Sequence, residues 1–279
     1  MLKVIELLKL RGLDTAAKIK FVRHLDRRID LYDLMISGHL DRYQSTQSKP
    51  VFRECDYIIS FIGLPRSQAR FLGVYRVLRE RRVKDAPPPA GYPLQEDPKW
   101  FYYDLELVPG FEDLQQRIII DWGKGAIKWD QWATEESDKE VVEVLPAGYT
   151  RPWPDYLDFI LTHDELVRIC SNPEANREWV HKLSAVAGVY LITYQGRQYV
   201  GSASGKEGIY GRWRQYAQGA YSENAKVKQL LETNPDCYKQ FRYSILRTLP
   251  GSMPKQEVIA KEMLDQVKLG SRDADRGLN

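Results

Sequence analysis

The chain has 279 residues, 28% of them charged, and a formal net charge of +3 at pH 7. This length allows one large or two ordinary domains. Its 3 cysteines and 4 histidines are widely spaced, which argues against a disulfide framework and against a zinc site. The opening MLKVIELLKLRG is too short and too charged for a signal peptide or a membrane span, so we expect a soluble, cytoplasmic protein with no membrane partner.

The two ends of the chain differ in charge. Residues 180–279 contain 15 Lys and Arg against 9 Asp and Glu, whereas residues 1–179 contain 26 against 29. The basic excess therefore lies in the C-terminal part. A basic surface suits a polyanion, because neutralising phosphates releases counterions, although an ordinary solvated surface is the simpler interpretation.

Residues 1 to about 50 show the apolar spacing of helices. In the segment AAKIKFVRHLDRRIDLYDLMISG, apolar residues recur at helical intervals from Ile19 to Leu34, and Gly38 is a stop signal. The Lys and Arg residues between them would form a solvated outer face or contact phosphate.

From Asp56 the pattern changes to short extended segments separated by turn residues. The segments are DYIISFIG, RFLGVYRVL, WFYYDLELV, RIIID, AIKWDQW and EVVEVL. Strands at this spacing predict a small antiparallel barrel or a strongly curved sheet. In general outline the strand order resembles the PUA-like barrels that read modified bases. We therefore predict a recognition domain over residues 1–150, helical at its start and mainly β after that.

This β region is rich in aromatic residues. Alternation along its WFYYDLELV segment places Tyr102 on one face and Tyr103 on the other. Such rings would fill the inside of a small barrel or hold an unstacked base. With Trp100 and Tyr102 as base contacts, Arg70 and Arg76 of the arginine-rich segment RSQARFLGVYRVLRERR are the candidate phosphate contacts.

Residues 151–186 are predicted to be a helical connector. Thr162 is followed three residues later by Glu165, which is a capping-box pattern at the start of a helix. A second helix would begin at Asn172-Pro173-Glu174 and run through Trp179 to Ala187.

The segment GVYLITYQGRQYVG, residues 188–201, predicts a β-hairpin with a tight turn at Gln195-Gly196. A two-residue turn pairs Tyr190 with Gly201 and places Tyr190 and Tyr199 on the same face. Gly201 would leave open space beside the Tyr190 hydroxyl. Two phenols next to such a space indicate a binding site.

This hairpin resembles the paired signature of the GIY-YIG nuclease family, with Val for Ile in both Gly188-Val189-Tyr190 and Tyr199-Val200-Gly201. Arg212 in YGRWRQY, Glu262 in EVIAKEMLDQVKLG and Asn279 follow in the order of that family. The resemblance covers roughly residues 187–279. It implies a nuclease domain there, with a small antiparallel sheet flanked by helices, and an α+β protein as a whole.

The resemblance also implies metal-dependent hydrolysis of phosphodiester bonds. Glu262 would bind one Mg²⁺ (or Mn²⁺) against the scissile phosphate. On a helix predicted over residues 255–269, Glu262 falls between Val258 and Ile259 at the border of the apolar face, whereas Asp265 falls on the charged arc. A carboxylate at this border needs a partner, and a buried salt bridge is the alternative to a metal.

Five further residues complete the implied site. Tyr190, with a pKa lowered by its surroundings, would help to deprotonate the attacking water, and Tyr199 would orient water or phosphate. Arg212 would stabilise the transition state, because a guanidinium fork suits the equatorial oxygens. Tyr216 shares a helix face with Arg212 and stands where the family has His or Tyr. Asn279 matches an Asn that tethers the active site.

Two basic residues close to this site are candidate DNA contacts. Lys206 lies in the small-residue loop after the second strand of the hairpin. Arg214 follows Arg212 by two positions and therefore faces another direction. The simpler interpretation of each is a solvated surface residue.

The expected function is a DNA endonuclease. The leading interpretation is a restriction or anti-phage enzyme whose N-terminal domain recognises modified cytosine, as type IV-like enzymes do. A type II-like enzyme that cuts specific unmodified sites, acting as a homodimer because one site cuts one strand, is the first alternative. A repair or mobile-element nuclease is another. A DNA-binding module without activity is disfavoured by the intact set of Tyr190, Arg212 and Glu262.

Overall fold

The computed structural model describes residues 1–123, 128–221, 225–273 and 277–279, and the chain has mixed α and β structure. The described residues divide into two units, Met1–Ala147 and Gly148–Asn279. Each unit has its own sheet and its own hydrophobic core. None of the described helices combines the length and apolar character needed to cross a membrane.

The first unit is built on a sheet that curls into a half-barrel. The strands are β1 (Ile19–His24), β2 (Thr46–Gln47), β3 (Tyr57–Gly63), β4 (Gln68–Arg82), β5 (Phe101–Leu107), β6 (Ile118–Asp121), β7 (Asp130–Trp132) and β8 (Glu140–Val144). The helices are α1 (Val4–Lys9), α2 (Leu31–Ile36) and α3 (Leu40–Ser45).

Strand β4 explains the curl of this sheet. It is 15 residues long and changes partners along its length. Its start pairs with β6, its middle with β3 and its end with β5, where Arg82 lies opposite Phe101. The registers shift after Ser60 in β3 and between Val77 and Arg79 in β4, and such bulges increase local twist. The sequence predicts a small antiparallel barrel or a strongly curved sheet. The sheet is curved, but it is not wholly antiparallel, because β1 and β3 are parallel.

The prediction of a continuous helix around residues 16–38 is wrong. Its first half is β1, which lies between β3 and β7 and is buried along its whole length. Within this segment, helix forms only after β1, in α2, and α3 follows it. The sequence IKFVRH is rich in β-branched and aromatic residues, so strand pairing overrides the helical spacing. Lys20 is not on a solvated face: it donates to Asp130 (2.8 Å) and to the Val51 carbonyl (2.6 Å).

The strands predicted after Asp56 are present. In β5, Tyr103 is buried in a core cluster against which Phe101 and Leu105 pack, whereas Tyr102 is not part of that cluster. The alternation predicted for this strand is therefore confirmed. In the segment AIKWDQW, the structure describes residues 128–132 and β7 lies among them; residues 126 and 127 fall outside the described part.

The second unit has an antiparallel sheet in the order β11, β10, β12, β9. These strands are β9 (Leu161–Thr162), β10 (Val186–Tyr194), β11 (Arg197–Ala203) and β12 (Arg242–Pro250). The helices are α4 (His163–Ser171), α5 (Arg177–Ser184), α6 (Gly208–Ala217), α7 (Ala225–Thr233) and α8 (Lys255–Leu269). Helix α8 has the predicted bounds.

The segment 151–186 lies within the second unit. Trp179 packs in its core, with ring centroids 4.8 Å from Trp153 and 4.9 Å from Phe159. The capping box of Thr162 and Glu165 is confirmed. Helix α5 ends earlier than predicted, because β10 pairs with β12 from residue 186 onward and takes those residues into the sheet.

The predicted hairpin is confirmed in its register. Strands β10 and β11 pair with Tyr190 opposite Gly201 and Ile192 opposite Tyr199. The turn places Gln195 at φ 46° and Gly196 at φ 80°. Two consecutive positive φ angles are the signature of the type I′ turn that matches strand twist, and glycine adopts such angles without strain.

A buried ion pair in the first unit yields a stability prediction. The side chains of Arg42 and Glu96 are 6% and 4% exposed and form two hydrogen bonds. Glu96→Ala would leave the buried guanidinium without its carboxylate, so we expect the free energy of unfolding to fall by about 3–5 kcal/mol. Urea denaturation measures this. Asp113→Ala, which breaks the exposed pair with Arg11, is the control and should change the free energy of unfolding little. Equal unfolding midpoints of the wild-type protein and Glu96→Ala would contradict the prediction.

Candidate active site

A groove of about 810 Å³ in the second unit brings together residues that lie far apart in the sequence. Tyr190 reaches it from β10, Tyr199 from β11, Arg212 from α6 and Glu262 from α8. Lys206, in the loop after β11, lines it as well. The hairpin and the two helices that pack on it therefore converge on one site.

The two hairpin tyrosines lie on the face of the sheet that α6 covers. Their ring centroids are 6.3 Å apart. Trp213 and Tyr216 of α6 pack edge-on against Tyr190, at 6.0 Å each. Along its other edge β10 pairs with β12, and the register of this pairing shifts between Val189 and Tyr190. Bulges of this kind change the direction of side chains and are frequent next to active sites.

Gly201 has a different role from the one predicted. A Cβ atom at this position would lie 2.5 Å from the Tyr190 Oη and 2.7 Å from its Cζ. The space beside Gly201 is therefore occupied by the Tyr190 ring and is not vacant. Glycine is needed here because only a residue without a side chain lets the phenol cross the neighbouring strand so closely.

The hydroxyl of Tyr190 is hydrogen-bonded to that of Tyr216 at 2.7 Å, and Tyr190 is 1% exposed. Burial raises the pKa of Tyr190 well above its usual value, the neighbouring phenols Tyr216 and Tyr199 raise it further, and Arg212 opposes them only weakly. The prediction of a lowered pKa is therefore wrong. Because burial and the neighbouring phenols outweigh the effect of Arg212, Tyr190 keeps its proton and is neutral at pH 7.

Glu262 lies half-buried on α8 with its carboxylate held by two neutral donors. The Ser202 hydroxyl donates to Oε2, and the Gln266 side chain donates to Oε1 at 2.9 Å. Gln266 also donates to the Val200 carbonyl (3.3 Å) and accepts from Arg272 (2.8 Å). These contacts orient the carboxylate without neutralising its charge.

The buried face of α8 is not the one predicted. Asp265, expected on the charged arc, is 4% exposed and accepts from the Arg247 guanidinium at 2.7 Å. Ile259, expected to be buried, is 38% exposed. The helical wheel fails because α8, which packs on β10 and β11, also reaches Arg247 of β12 through this ion pair and Val200 of β11 through Gln266, so polar residues take part of its buried face.

Asn279 holds β11 from its free edge. Its amide oxygen accepts from the Val200 N–H (2.8 Å) and its amide nitrogen donates to the Val200 carbonyl (2.6 Å). The Leu278 N–H adds a bond to the Gln198 carbonyl (2.8 Å). Since Val200 stands between Tyr199 and Gly201, Asn279 fixes the strand that carries the site without lining the groove.

Glu262 is a groove residue that could hold a divalent cation. Among the described residues, no group of three or more His, Cys, Asp and Glu side chains is arranged to hold a metal. Mg²⁺, however, is usually bound through one or two carboxylates together with substrate phosphates and water. A half-buried carboxylate oriented by Ser202 and Gln266 is what such a ligand requires.

The cations near the groove fall into two groups. Lys206 and Lys255 are exposed and line it together with Arg212. Arg214 does not line it: its guanidinium pairs with Glu207 at 2.8 Å and lies over the Tyr210 ring at 5.5 Å.

The candidate DNA contacts of the first unit lie in different environments. Arg70 is 6% exposed, so it does not belong to an exposed phosphate-contacting edge. Arg76 is exposed and lies 3.8 Å from Glu106. Tyr102 lies between two guanidinium groups, those of Arg42 at 4.5 Å and Arg81 at 5.1 Å. Trp100 is half-buried and lines a separate pocket.

Three residues of the site were not predicted. Ser202 directly follows Gly201, and Gln266 lies four positions after Glu262, so helical spacing alone would have paired Gln266 with that carboxylate. Lys255 gave no signal beyond its charge at the start of α8.

Comparisons of the chain with known protein families, with curated proteins and with solved structures found no match. The function of the groove must therefore be inferred from its own residues and their geometry.

The contact between Gly201 and Tyr190 predicts a coupled pair of substitutions. Gly201→Ala should lower the free energy of unfolding by about 1–3 kcal/mol, because the new methyl group overlaps the phenol. In a Tyr190→Leu background the ring is gone, and the cost of Gly201→Ala should be smaller by at least about 1 kcal/mol. A double-mutant cycle in urea measures this coupling, and strictly additive costs would show that the ring is not what the methyl group meets.

Proposed function

We propose that the second unit is a metal-dependent DNA endonuclease of the GIY-YIG type. The observation that carries the proposal is the groove itself. Tyr190, Tyr199, Arg212 and Glu262 are spread over more than 70 residues of sequence, and all four line it. The hairpin register that brings the two tyrosines together and the neutral donors that orient Glu262 support the same interpretation.

A divalent cation, Mg²⁺ or Mn²⁺, bound by Glu262 would supply Lewis-acid polarisation of the scissile phosphate and lower the pKa of a nearby water. Arg212 would donate to the non-bridging oxygens as negative charge develops on them. Lys206 and Lys255 would attract the phosphate backbone, since both are exposed at the groove.

The state of Tyr190 changes the role that we assign to it. Because burial keeps its pKa high, the hydroxyl is a hydrogen-bond partner that positions the attacking water and not a ready base. The Tyr216 hydroxyl at 2.7 Å fixes its direction. Tyr199 lies on the same face and would orient water or phosphate beside it.

We further propose that the first unit selects the DNA and that the protein is a restriction or anti-phage enzyme for DNA that contains modified cytosine. The curled half-barrel sheet and its partly exposed aromatic residues support this interpretation. We propose that the first unit is a PUA-like barrel, a fold that would suit the reading of a modified base. Since one site hydrolyses one strand, cleavage of a duplex would require two copies of the chain.

Substitution of the metal ligand tests the nuclease. Glu262→Ala should abolish Mg²⁺-dependent cleavage, a loss of more than about 100-fold, because charge stabilisation at the phosphate is removed. Cleavage of plasmid and of phage DNA with unmodified, methylated, hydroxymethylated and glucosylated cytosine is the measurement. Glu257→Ala, an exposed carboxylate on the same helix, is the matched control.

The folded state of Glu262→Ala is checked by thermal unfolding. Wild-type turnover in a folded Glu262→Ala protein would disprove the metal site. DNA binding by the wild-type protein with no cleavage of any substrate would instead favour a DNA-binding module without activity.

The support of Glu262 by Gln266 predicts a change in metal requirement. Gln266→Leu removes one donor from the carboxylate, so the Mg²⁺ concentration for half-maximal cleavage should rise about 10- to 100-fold, as for other losses around a ligand. Gln256→Leu, exposed on the same helix, should leave it unchanged. An unaltered Mg²⁺ dependence in a folded Gln266→Leu variant would show that this amide does not orient the ligand.

A further inference from the structure

The first unit has a pocket of about 500 Å³ with aromatic walls. Its rings are those of His24 at the end of β1, Tyr43 in α3, Tyr92 and Trp100 between β4 and β5, and Trp129 just before β7. The volume lies within the range of small-molecule binding sites. It also exceeds that of a single pyrimidine ring, so the pocket has room for a substituent on such a ring.

The rings of this pocket differ from the other aromatic residues of the unit. Tyr43, Tyr92, Trp100 and Trp129 are all half-buried, whereas Trp122 is 1% exposed and belongs to the core. Within the pocket wall the His24 ring meets Tyr43 edge-on at 5.6 Å and lies 6.4 Å from Trp129. Several rings are therefore held by packing while part of each surface remains available.

Three side-chain atoms in the pocket wall lack a hydrogen-bond partner among the described residues. They are the Nε of Arg23, the Nε2 of His24, a side chain 3% exposed, and the Oγ1 of Thr46. Burial lowers the pKa of His24 to about 4, although a hydrogen bond with Gln44 raises it, so its imidazole is neutral at pH 7 and its Nε2 can donate or accept. An unsatisfied buried polar atom costs free energy, and a ligand with a matching polar edge would remove that cost.

The charges around the pocket favour an anionic ligand over a cation. The two carboxylates in its wall are already paired, Asp26 with Arg28 at 2.6 Å and Glu96 with Arg42. They therefore do not supply the negative charge of an aromatic cage for ammonium groups. Arg27 is exposed at the pocket, where it suits a phosphate that flanks a base.

We propose that this pocket binds one nucleobase of DNA that has been extruded from the base stack. The aromatic rings stack on the base, His24 and Thr46 bind its polar edge, and Arg27 contacts an adjacent phosphate. The proposal rests on the proposed function in one respect, that DNA is the substrate. It assigns the choice of DNA to the pocket of the first unit and the hydrolysis to the groove of the second.

The test measures DNA binding by the full chain in EDTA, where metal-dependent cleavage does not occur. The probes are short duplexes with unmodified, 5-methylated or 5-hydroxymethylated cytosine, and one with a central cytosine mismatch. A mismatched base costs less to extrude, so the wild-type protein should bind the mismatched duplex more tightly than the paired one of the same sequence.

Trp100→Ala should weaken binding of the preferred duplex about 5- to 150-fold, the effect of losing one stacking contact. The preference for the mismatched or modified duplex should shrink with it, and Trp100→Phe should restore much of both. Trp132→Ala removes a tryptophan that is 44% exposed and does not line the pocket, so it should behave as wild type. Thermal unfolding verifies that each variant is folded.

Wild-type affinity and wild-type preference in a folded Trp100→Ala variant would overturn the proposal. Equal affinity of the wild-type protein for the mismatched duplex and for all paired duplexes would overturn it as well, because extrusion would then play no part in binding. Failure of the nuclease proposal alone would give a different result. The wild-type protein would then bind DNA more tightly than Trp100→Ala does, but it would cleave none of the DNA when Mg²⁺ is added.

Discussion

The close approach of the Tyr190 ring to Gly201 is the contact on which the candidate active site depends. Because Gly201 has no side chain, the phenol lies across β11 and its hydroxyl reaches Tyr216 on α6. That hydrogen bond ties the hairpin to the helix that carries Arg212. The absence of a side chain at Gly201 thus allows Tyr190 to line the same groove as Arg212, and the burial that accompanies this packing keeps Tyr190 and Tyr216 protonated.

The opposite side of β11 is held by a polar network of comparable extent. Asn279 binds both backbone groups of Val200, Gln266 bonds the same carbonyl, and Gln266 and Ser202 together hold Glu262. Strand β11 is therefore fixed by aromatic packing on one face and by hydrogen bonds along its edge and other face. Glu262 and the tyrosines Tyr190 and Tyr199 reach the groove from different faces of the sheet, but all of them are part of β11 or contact it. A displacement of β11 would therefore move both the carboxylate and the phenols.

The first unit uses its aromatic residues in two ways. Trp122 and Tyr103 are buried and stabilise the curled sheet, whereas Trp100, Tyr92 and Tyr43 surround a pocket and stay half-buried. Paired carboxylates and unpaired neutral polar groups give that pocket the character of a site for a flat, polar-edged ring. Under the proposed function, recognition of a base would require aromatic surface and hydrolysis of a phosphodiester would require oriented charge, and each unit would supply one of them.

The sequence by itself determined the elements whose signals are local. The hairpin register followed from Gln195-Gly196 and strand alternation, and the start of α4 followed from the capping box at Thr162. Helix α8 has the bounds predicted from the sequence. Only the tertiary structure decided what depends on partners distant in sequence. Pairing with β3 and β7 makes β1 a strand. The ion pair with Arg247 stabilises Asp265 on the buried face of α8. Burial among other phenols keeps Tyr190 protonated. Burial and charge compensation arise between segments, so no local pattern contains them.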